Sequence, residues 1–411
     1  MICTPQNYLH QKDKFVEVRI LNSFSFWSPT KVVFGEGTVP QTGSEVKAFG
    51  GSRVLVLYGG GSVVKSGLLD KVSQSLKDEG LEYFCVGGVQ PNPLLDFALK
   101  IIADYKDKNI DFILAVGGGS TIDTAKAVAT GLVSDEVPLW DYFLRKTVPT
   151  KAVPVGVVLT IAAAGSETSD SCVVTNKEIN SKRGFNSQTN RPKFAIMDPV
   201  LTYSLPPFQV ACGIVDMLMH TLDRYFAPET DNAVTDEIAE GLMRVVIKYG
   251  KIAMEKPTDY KARSEIMWAG ALTHNGISGL GQPLDFAVHQ LGHPLSAKYD
   301  AAHGVSLSVT WASWARYVYT HDLARFAKFA REVLGISEAD DGTAAINGIN
   351  TTEEFFRSIG MPVTLSEAIG ESVSGDIDEL AEMCSFGRTR TIGSFKALNH
   401  DDIRAIYQAA L

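Results

Sequence analysis

This sequence of 411 residues has few cysteines and lacks the patterns typical of membrane, nucleic-acid-binding and repeat proteins. Its five cysteines are widely spaced and form no CxxC pair, which argues against a disulfide framework or a cysteine zinc site. It has no long apolar run of the kind that crosses a membrane, no lysine and arginine cluster typical of nucleic-acid binding, and no internal repeat. The first residues show no secretory signal pattern.

The composition is that of an ordinary globular protein, with 45% hydrophobic and 21% charged residues and a net charge of −9. The length suffices for two or three domains. With cysteines that are expected to stay reduced, we expect a cytoplasmic protein with no nucleic-acid or membrane partner.

The first half alternates short apolar runs with amphipathic stretches. Helices are predicted within 66–80, 93–109 and 120–132, between strands within 53–61, 81–89, 111–119, 153–165 and 193–199. This alternation predicts a Rossmann-like parallel α/β sheet with helices on both faces. Residues 24–39 (FSFWSPTKVVFGEGTV) are predicted to form two short strands or a hairpin, whose edge would invite pairing with another chain.

From about Leu205 the apolar period becomes helical and stays so to the end of the chain. Prolines in MDPVLTYSLPP punctuate the change. We therefore expect an α/β domain over 1–202 and an all-helical domain over 203–411.

A glycine-rich turn, Gly117-Gly118-Gly119-Ser120, follows a predicted strand and opens a helix that carries Asp123 and Lys126. Glycines let a phosphate approach the backbone, and a helix N-terminus offers free N–H groups. The turn therefore predicts phosphate binding. It matches neither the GxGxxG nor the P-loop pattern, and a purely structural tight turn is the alternative.

A second such turn, Gly59-Gly60-Gly61-Ser62, follows the first long strand. An acidic residue often holds the ribose in NAD sites, and none follows here, whereas Ser62 and Lys65 can donate to a 2′-phosphate. This favours NADP over NAD. The alternative is an ordinary turn with a solvated lysine and no bound cofactor. A weaker signal is Thr160, followed by Gly165-Ser166-Glu167 after another strand.

Candidate metal ligands concentrate in the second half. Asp216 and His220 are four residues apart, as are His289 and His293, so that each pair shares one face of a helix; His303 follows closely. Carboxylate and imidazole ligands suit a divalent cation such as Fe²⁺ or Zn²⁺. The alternative to metal binding is that the histidines are structural and that Asp216 and His220 form a hydrogen bond on the helix surface. A metal that polarises a carbonyl, facing a nicotinamide, indicates an alcohol dehydrogenase or aldehyde reductase.

The chain resembles the iron-containing (group III) alcohol dehydrogenases over nearly its whole length, in the branch of NADPH-dependent butanol dehydrogenases and broad-range aldehyde reductases. The resemblance is carried by FWSPTKVVFGEG, YGGGSVVKSGLLD, AVGGGSTIDTAKA, GIVDMLMHTLD, HQLGHPLSAKYDAAHG and IGSFKAL. It implies a dehydroquinate synthase-like fold and a homodimer formed through the N-terminal strand.

The resemblance also implies roles for single residues. The metal ligands would be Asp216, His220, His289 and His303, with His293 aiding proton transfer near the nicotinamide. The pyrophosphate would contact Gly118, Gly119 and Ser120. Asn92 and Thr160 would line the cofactor cleft, and Lys182 would lie near the nicotinamide ribose. The sequence departs from the family's usual TGSE loop, with Ala164 where threonine is common.

Other functions remain open at this point. A polyol or diol dehydrogenase would share the fold and the metal, and a non-catalytic metal- or nucleotide-binding module is a further alternative. Relatives that act on phosphorylated substrates need a basic cluster beside the metal. The residues next to the candidate ligands are apolar instead, among them Met217, Leu218 and Leu291. This favours small uncharged alcohols and aldehydes as substrates.

Overall fold

The computed structural model describes residues 22–134, 136–228 and 232–411. The strands are β1 Lys31–Phe34, β2 Arg53–Tyr58, β3 Glu82–Val86, β4 Phe112–Gly117, β5 Val155–Leu159, β6 Ser171–Asn176, β7 Ser181–Asn186 and β8 Phe194–Met197. The helices of the first half are α1 Thr42–Ala48, α2 Ser62–Lys65, α3 Leu68–Asp78, α4 Leu95–Tyr105, α5 Gly119–Leu132 and α6 Leu139–Phe143. The later helices are α7 Pro207–Tyr225, α8 Ala233–Glu255, α9 Tyr260–His274, α10 Ala287–Tyr299, α11 His303–Val318, α12 Leu323–Leu334, α13 Asp341–Ser358, α14 Leu365–Ile369, α15 Ile377–Cys384 and α16 His400–Ala409.

Six strands form one parallel sheet in the order β1-β8-β5-β4-β2-β3, which confirms the predicted α/β fold. Strands β4 and β5 are buried at every position, as expected for a parallel sheet covered on both faces. Side chains of β2 alternate between two cores. Leu55 and Leu57 join the core shared with the helical half, whereas Val54 and Val56 pack into a smaller core beside Val72.

The predicted pair of strands over 24–39 is wrong in part, because only β1 forms there. It pairs in parallel with β8 at the sheet edge, in the register Lys31↔Phe194. Gly35 and Gly37 have φ values of 132° and 75°, which strand geometry does not allow, so the extended segment ends before a second strand can begin.

An antiparallel hairpin, β6–β7, escaped the sequence prediction. Its register runs from Ser171↔Asn186 to Asn176↔Ser181, and Asn180 takes the left-handed conformation in the connection. Each strand has six residues, and the hairpin stands outside the main sheet. It packs against α5 and α10 and so lies between the two halves of the molecule.

The predicted all-helical second half is confirmed within the described residues, where only an isolated bridge joins Ile392 to Leu398. Helix α7 packs against α8, α9, α10 and α11 and is buried along most of its length. No helix in the described ranges is both long and apolar enough to cross a bilayer. The central position of α7 brings residues of α7, α10 and α11 to one place.

Candidate active site

A carboxylate and three imidazoles converge where α7, α10 and α11 meet. Asp216 Oδ1 lies 3.5 Å from His220 Nδ1, 3.6 Å from His289 Nε2 and 3.7 Å from His303 Nε2. One ligand atom each from Asp216, His289 and His303 lies within 4.8 Å of the others. The His220 ring stacks on the His289 ring, with centroids 4.5 Å apart.

The donor atoms of this cluster fit a bound cation. Asp216 Oδ1 and His289 Nε2 are buried and have no hydrogen-bond partner among the described residues. Buried polar atoms are rarely left unpaired, so two that face each other indicate a missing ligand. Burial lowers the pKa of His220 and of His303 well below the usual range, which keeps both rings neutral, as metal coordination requires.

Asp223 orients one histidine of the cluster through a hydrogen bond. Its Oδ2 lies 2.5 Å from His289 Nδ1 and accepts a hydrogen bond from that nitrogen. With the proton held on Nδ1, the Nε2 lone pair is free to face Asp216. The sequence analysis missed Asp223, although its position three residues after His220 on α7 places it near the same face of the helix.

The two glycine-rich turns lie at the same edge of the sheet, since β2 and β4 are neighbours. Gly118 precedes α5, which begins at Gly119 instead of the predicted Ser120, and no side chain caps the helix. A Cβ on Gly118 would lie 2.1 Å from Ile161 Cγ2, and one on Gly59 would lie 3.8 Å from Thr121 Oγ1. Uncapped N–H groups beside Gly118, whose neighbours leave no room for a side chain, suit a phosphate group.

The other residues of the second turn lie at the surface. Gly60, Gly61, Ser62 and Lys65 are exposed, and the last two belong to the short helix α2. Ser62 and Lys65 are therefore accessible to a ligand that binds at the carboxyl end of β2. The acidic residue expected of an NAD site is absent from 59–67.

Lys182 and Asn92 connect the two halves. Lys182, on β7, is buried and donates from Nζ to Asn92 Oδ1 at 2.9 Å, and Asn92 Nδ2 donates to Asp300 Oδ1 at 2.9 Å. Burial lowers the pKa of Lys182 to about 8, although the carboxylates of Asp216 and Asp123 act against this. Lys182 is therefore electrostatically coupled both to the metal-ligand cluster and to α5.

Asp123 and Lys126 hold a loop of the protein in place. Asp123 accepts hydrogen bonds from Ser166 Oγ at 2.7 Å and from the Val173 N–H at 3.2 Å. The buried Lys126 amine donates to the carbonyl oxygens of Ser166 and Ser171 at 2.7 and 2.8 Å. Both side chains therefore fix the chain that follows β5.

Thr160 begins that chain. Its N–H donates to the Gly117 carbonyl at 3.1 Å, which places it beside the first glycine-rich turn. Further along, Ala164 presents its carbonyl oxygen 2.7 Å from Nδ1 of His274, and a Cβ on Gly119 would lie 3.2 Å from the Ala164 methyl. The departure at Ala164 therefore lies in close contact with both the helix start and α9.

Two further histidines flank the cluster. His293 follows His289 by one turn of α10; burial, together with Lys182 and His289, lowers the pKa of His293 well below its usual range. His274, which was not predicted from the sequence, ends α9 and contacts the His220 ring at an interplanar angle of 39°, with ring centroids 4.0 Å apart. No other candidate ligand lies three or four residues from His274, so the spacing in the sequence gives no signal for it.

A doubly wound sheet with glycine-rich turns, facing a buried carboxylate–histidine cluster on helices, defines a metal-dependent dinucleotide-binding enzyme. Models of two families, iron-containing alcohol dehydrogenase and the C-terminal part of Fe-containing alcohol dehydrogenases, match residues 29–199 and 210–411. The chain belongs to the iron-containing alcohol dehydrogenase family, in its butanol dehydrogenase and aldehyde reductase branch.

Similar proteins carry both cofactor types in their names. NADH-dependent butanol dehydrogenase A of Clostridium acetobutylicum is 38% identical over 94% of this chain and 99% of its own. NADPH-dependent aldehyde reductase YqhD of Escherichia coli is 34% identical over 95% and 100%. The crystal structure of NADH-dependent butanol dehydrogenase A from Thermotoga maritima matches with a TM-score of 0.91 at 36% identity, covering 95% of this chain and 99% of that one.

Proposed function

We propose that this protein is a metal-dependent, NADP(H)-linked dehydrogenase that interconverts small aldehydes and primary alcohols such as butanal and butanol. The observation that carries the proposal is the pair of facing, unpartnered atoms Asp216 Oδ1 and His289 Nε2 in the half opposite the glycine-rich turns. The butanol and aldehyde activities in the names of its relatives support the same reaction type.

The metal would be held by Asp216, His220, His289 and His303, a set with no thiolate that suits Fe²⁺ or Zn²⁺. Such an ion, when bound, supplies Lewis-acid polarisation of a carbonyl group. Asp223 keeps His289 in the tautomer that the site needs.

The remaining residues bind the cofactor and move a proton. Gly118, Gly119 and Ser120 would bind the pyrophosphate through backbone N–H groups at the start of α5. Thr160 would line the same cleft, and Asp123 would keep its wall in place through Ser166.

Near the nicotinamide, Asn92 and Lys182 would position the ribose. His293, whose pKa is lowered well below its usual range by burial and by the positive charge of Lys182, would take part in the proton relay to the alcohol oxygen.

The preference for NADP is proposed from the chain's own residues, because one similar protein is named as NADH-dependent and another as NADPH-dependent. Gly59, Gly60 and Gly61 leave room beside the ribose, and Ser62 and Lys65 are exposed donors on α2. A 2′-phosphate would accept hydrogen bonds from Ser62 and Lys65, and no carboxylate in this turn would repel it.

The decisive experiment follows the oxidation of NADPH and NADH by absorbance with butanal, with and without added Fe²⁺ or Zn²⁺. His289→Ala should lose bound metal and turnover together, while the exposed His321→Ala should keep both. Full activity in a metal-free His289→Ala preparation would exclude the proposed site.

We also propose a homodimer formed through the N-terminal segment. Phe24, Phe26 and Trp27 are 48%, 44% and 64% exposed, and they precede β1 at the open edge of the sheet. An exposed aromatic segment next to a strand edge that no other described strand pairs with is typical of a surface that another chain covers.

A cytoplasmic location is proposed from the cysteines. Cys85, Cys172, Cys212 and Cys384 are all free thiols. Free thiols are typical of proteins kept in a reducing compartment.

A further inference from the structure

Asp300 contacts the opposite half of the molecule from a strained position of the backbone. It follows α10 with φ 54° and ψ 27°, in the left-handed region, and it is exposed. Asn92, on the loop before α4, is also left-handed, with φ 53°, but it is buried. The two side chains hydrogen-bond to each other. Since glycine adopts this conformation without strain, the two polar residues indicate a function for their side chains.

The contacts of Asn92 fix which way its amide group points. Its Oδ1 accepts a hydrogen bond from Lys182 Nζ at 2.9 Å, and its Nδ2 donates to Asp300 Oδ1 at 2.9 Å. An ammonium group only donates and a carboxylate only accepts, so the reversed amide would lose both bonds. The Ala301 carbonyl, 3.4 Å from Nδ2, is a weaker acceptor. Asp300 therefore holds the Asn92 amide in the orientation that presents an acceptor to Lys182.

One side of this network belongs to the half with the glycine-rich turns. The loop of Asn92 is attached to β6, where the Thr175 N–H donates to the Pro93 carbonyl at 2.7 Å. Lys182 lies on β7, and the β6–β7 hairpin packs against α5, which begins at the first glycine-rich turn. Asn92 and Lys182 are therefore held together on the hairpin, beside the helix proposed to bind the pyrophosphate.

The other side of the network belongs to the half with the metal-ligand cluster. Asp300 lies in the short connection between α10, which carries His289, and α11, which begins at His303. His303 Nε2 lies 3.7 Å from Asp216 Oδ1. The bond from Asn92 to Asp300 therefore crosses from the hairpin to the connection between two helices that carry proposed metal ligands.

The end of a helix does not by itself account for an aspartate at this position. Glycine is the most favoured residue in the left-handed position that follows a helix, because it has no Cβ. What the aspartate adds is the acceptor Oδ1 for Asn92, which glycine would lack. The side chain of Asp300 therefore serves the contact with Asn92.

We propose that Asp300 is a positioning residue for hydride transfer. Through Asn92 it holds Lys182, and with it the nicotinamide ribose, at a fixed distance from the metal-ligand cluster. The inference rests on the proposed function, in which Asn92 and Lys182 position the ribose, and it adds one residue to that function. The reaction is unchanged: the aldehyde carbon accepts hydride from the reduced nicotinamide, and its oxygen accepts one proton. A displacement of about 1 Å can lower such a rate about 100-fold.

Two substitutions at this position separate the side chain from the backbone. Asp300→Gly should lower the rate of hydride transfer to butanal about tenfold and raise the Kd for NADPH about fivefold, because the acceptor is lost. Its thermal midpoint should stay within about 2 °C of the wild type, since glycine suits the left-handed conformation. Asp300→Asn keeps an acceptor oxygen and tolerates the same conformation, so its rate and Kd should stay within about twofold of the wild type.

Stopped-flow absorbance in a single turnover gives the rate of hydride transfer separately from product release. Asn109→Gly is the matched control, because Asn109 also has a left-handed φ of 52° but precedes β4, at the opposite end of that strand from the glycine-rich turn. It should change neither the rate nor the Kd.

The order of the variants decides between positioning and a structural role. A wild type and Asp300→Asn that are both faster than Asp300→Gly support positioning. An Asp300→Gly enzyme as fast as the wild type, or an Asp300→Asn enzyme as slow as Asp300→Gly, would overturn it. Both variants should bind metal as the wild type does. Loss of metal from Asp300→Gly would assign Asp300 to the support of His303 and equally overturn the proposal.

Failure of the proposed function gives a different result from failure of this inference. A protein that reduces no aldehyde under any metal or cofactor condition contradicts the proposed function. Fluorescence titration with NADPH then tests the network by itself. A Kd that Asp300→Gly raises and Asp300→Asn restores supports the contact through which Asp300 acts, whereas equal Kd values or absent binding refute it.

Discussion

The Nδ1 of His289 lies 2.5 Å from Oδ2 of Asp223, and this contact orients the ring at the centre of the proposed metal site. The two residues come from different helices, α10 and α7, and Asp223 is buried. The carboxylate holds the proton on Nδ1, so that Nε2 faces Asp216 as a lone pair.

Asp223→Ala should weaken metal binding by about 10- to 100-fold, since the tautomer and orientation of His289 would no longer be held. Competition with a chelator measures the affinity. Asp236→Ala is the control, because Asp236 is paired with Arg325 and Lys328 outside the cluster. It should lower stability without changing metal affinity, and unaltered affinity in Asp223→Ala would contradict the assigned role.

Gly118→Ala should raise the dissociation constant for the reduced nicotinamide cofactor about tenfold or more. The new Cβ would lie 2.1 Å from Ile161 Cγ2, so the Ile161 side chain or the turn must move, at a cost of about 1–3 kcal/mol. Fluorescence titration measures the change. Gly375→Ala, where nothing lies within 4 Å of the new Cβ, should bind as the wild type does. Unchanged affinity in Gly118→Ala would place the pyrophosphate elsewhere.

Lys65→Ala should raise the KM for NADPH about fivefold and leave the KM for NADH unchanged, because an exposed ion pair contributes at most about 1 kcal/mol. The effect should shrink at high salt, where the charges are screened. Lys71→Ala, an exposed lysine on the neighbouring α3, serves as control. If Lys65→Ala raised both KM values equally, Lys65 would not read the 2′-phosphate.

Burial raises the pKa of Glu167 to about 7. In the unfolded chain this carboxyl titrates near about 4.3. Between these values the folded state binds more protons, so the free energy of unfolding should fall as pH rises, by about 4 kcal/mol in all.

Glu167→Gln should remove that dependence and gain stability relative to the wild type between about pH 5 and about pH 8. Urea-induced unfolding at both pH values measures it. Glu354→Gln, an exposed helical glutamate, should follow the wild-type curve. If the free energy of unfolding of Glu167→Gln fell with pH as much as that of the wild type, the Glu167 carboxyl would not be the cause of the pH dependence.

Trp27→Ser should shift the proposed dimer towards monomer, because it removes the most exposed aromatic side chain of the segment before β1. Light scattering coupled to size-exclusion chromatography over a dilution series gives the mass. Leu99→Ser, 44% exposed on α4, should leave the mass unchanged. A wild-type protein that elutes as a monomer throughout would refute the interface.

The main elements of the fold and the core of the site were predictable because they depend on local spacing. Asp216 and His220 share a helix face through their four-residue separation, and the turn at Gly118 follows a buried strand and opens a helix. The β6–β7 hairpin was not predictable in the same way, because SCVVTN and SKRGFN are rich in polar residues and lack the apolar run of β2 or β4. Its packing partners, α5 and α10, lie elsewhere in the sequence.

By itself, the sequence determined the α/β-then-helical order, the glycine-rich turns and the candidate ligands, because apolar period and residue spacing are local properties of the chain. Only the tertiary structure decided which atoms face each other. It placed Asp223 next to His289, His274 against His220, and Arg183 and Arg390 against the ring of Phe386. Those contacts join residues of separate elements, and their positions depend on how helices and strands pack.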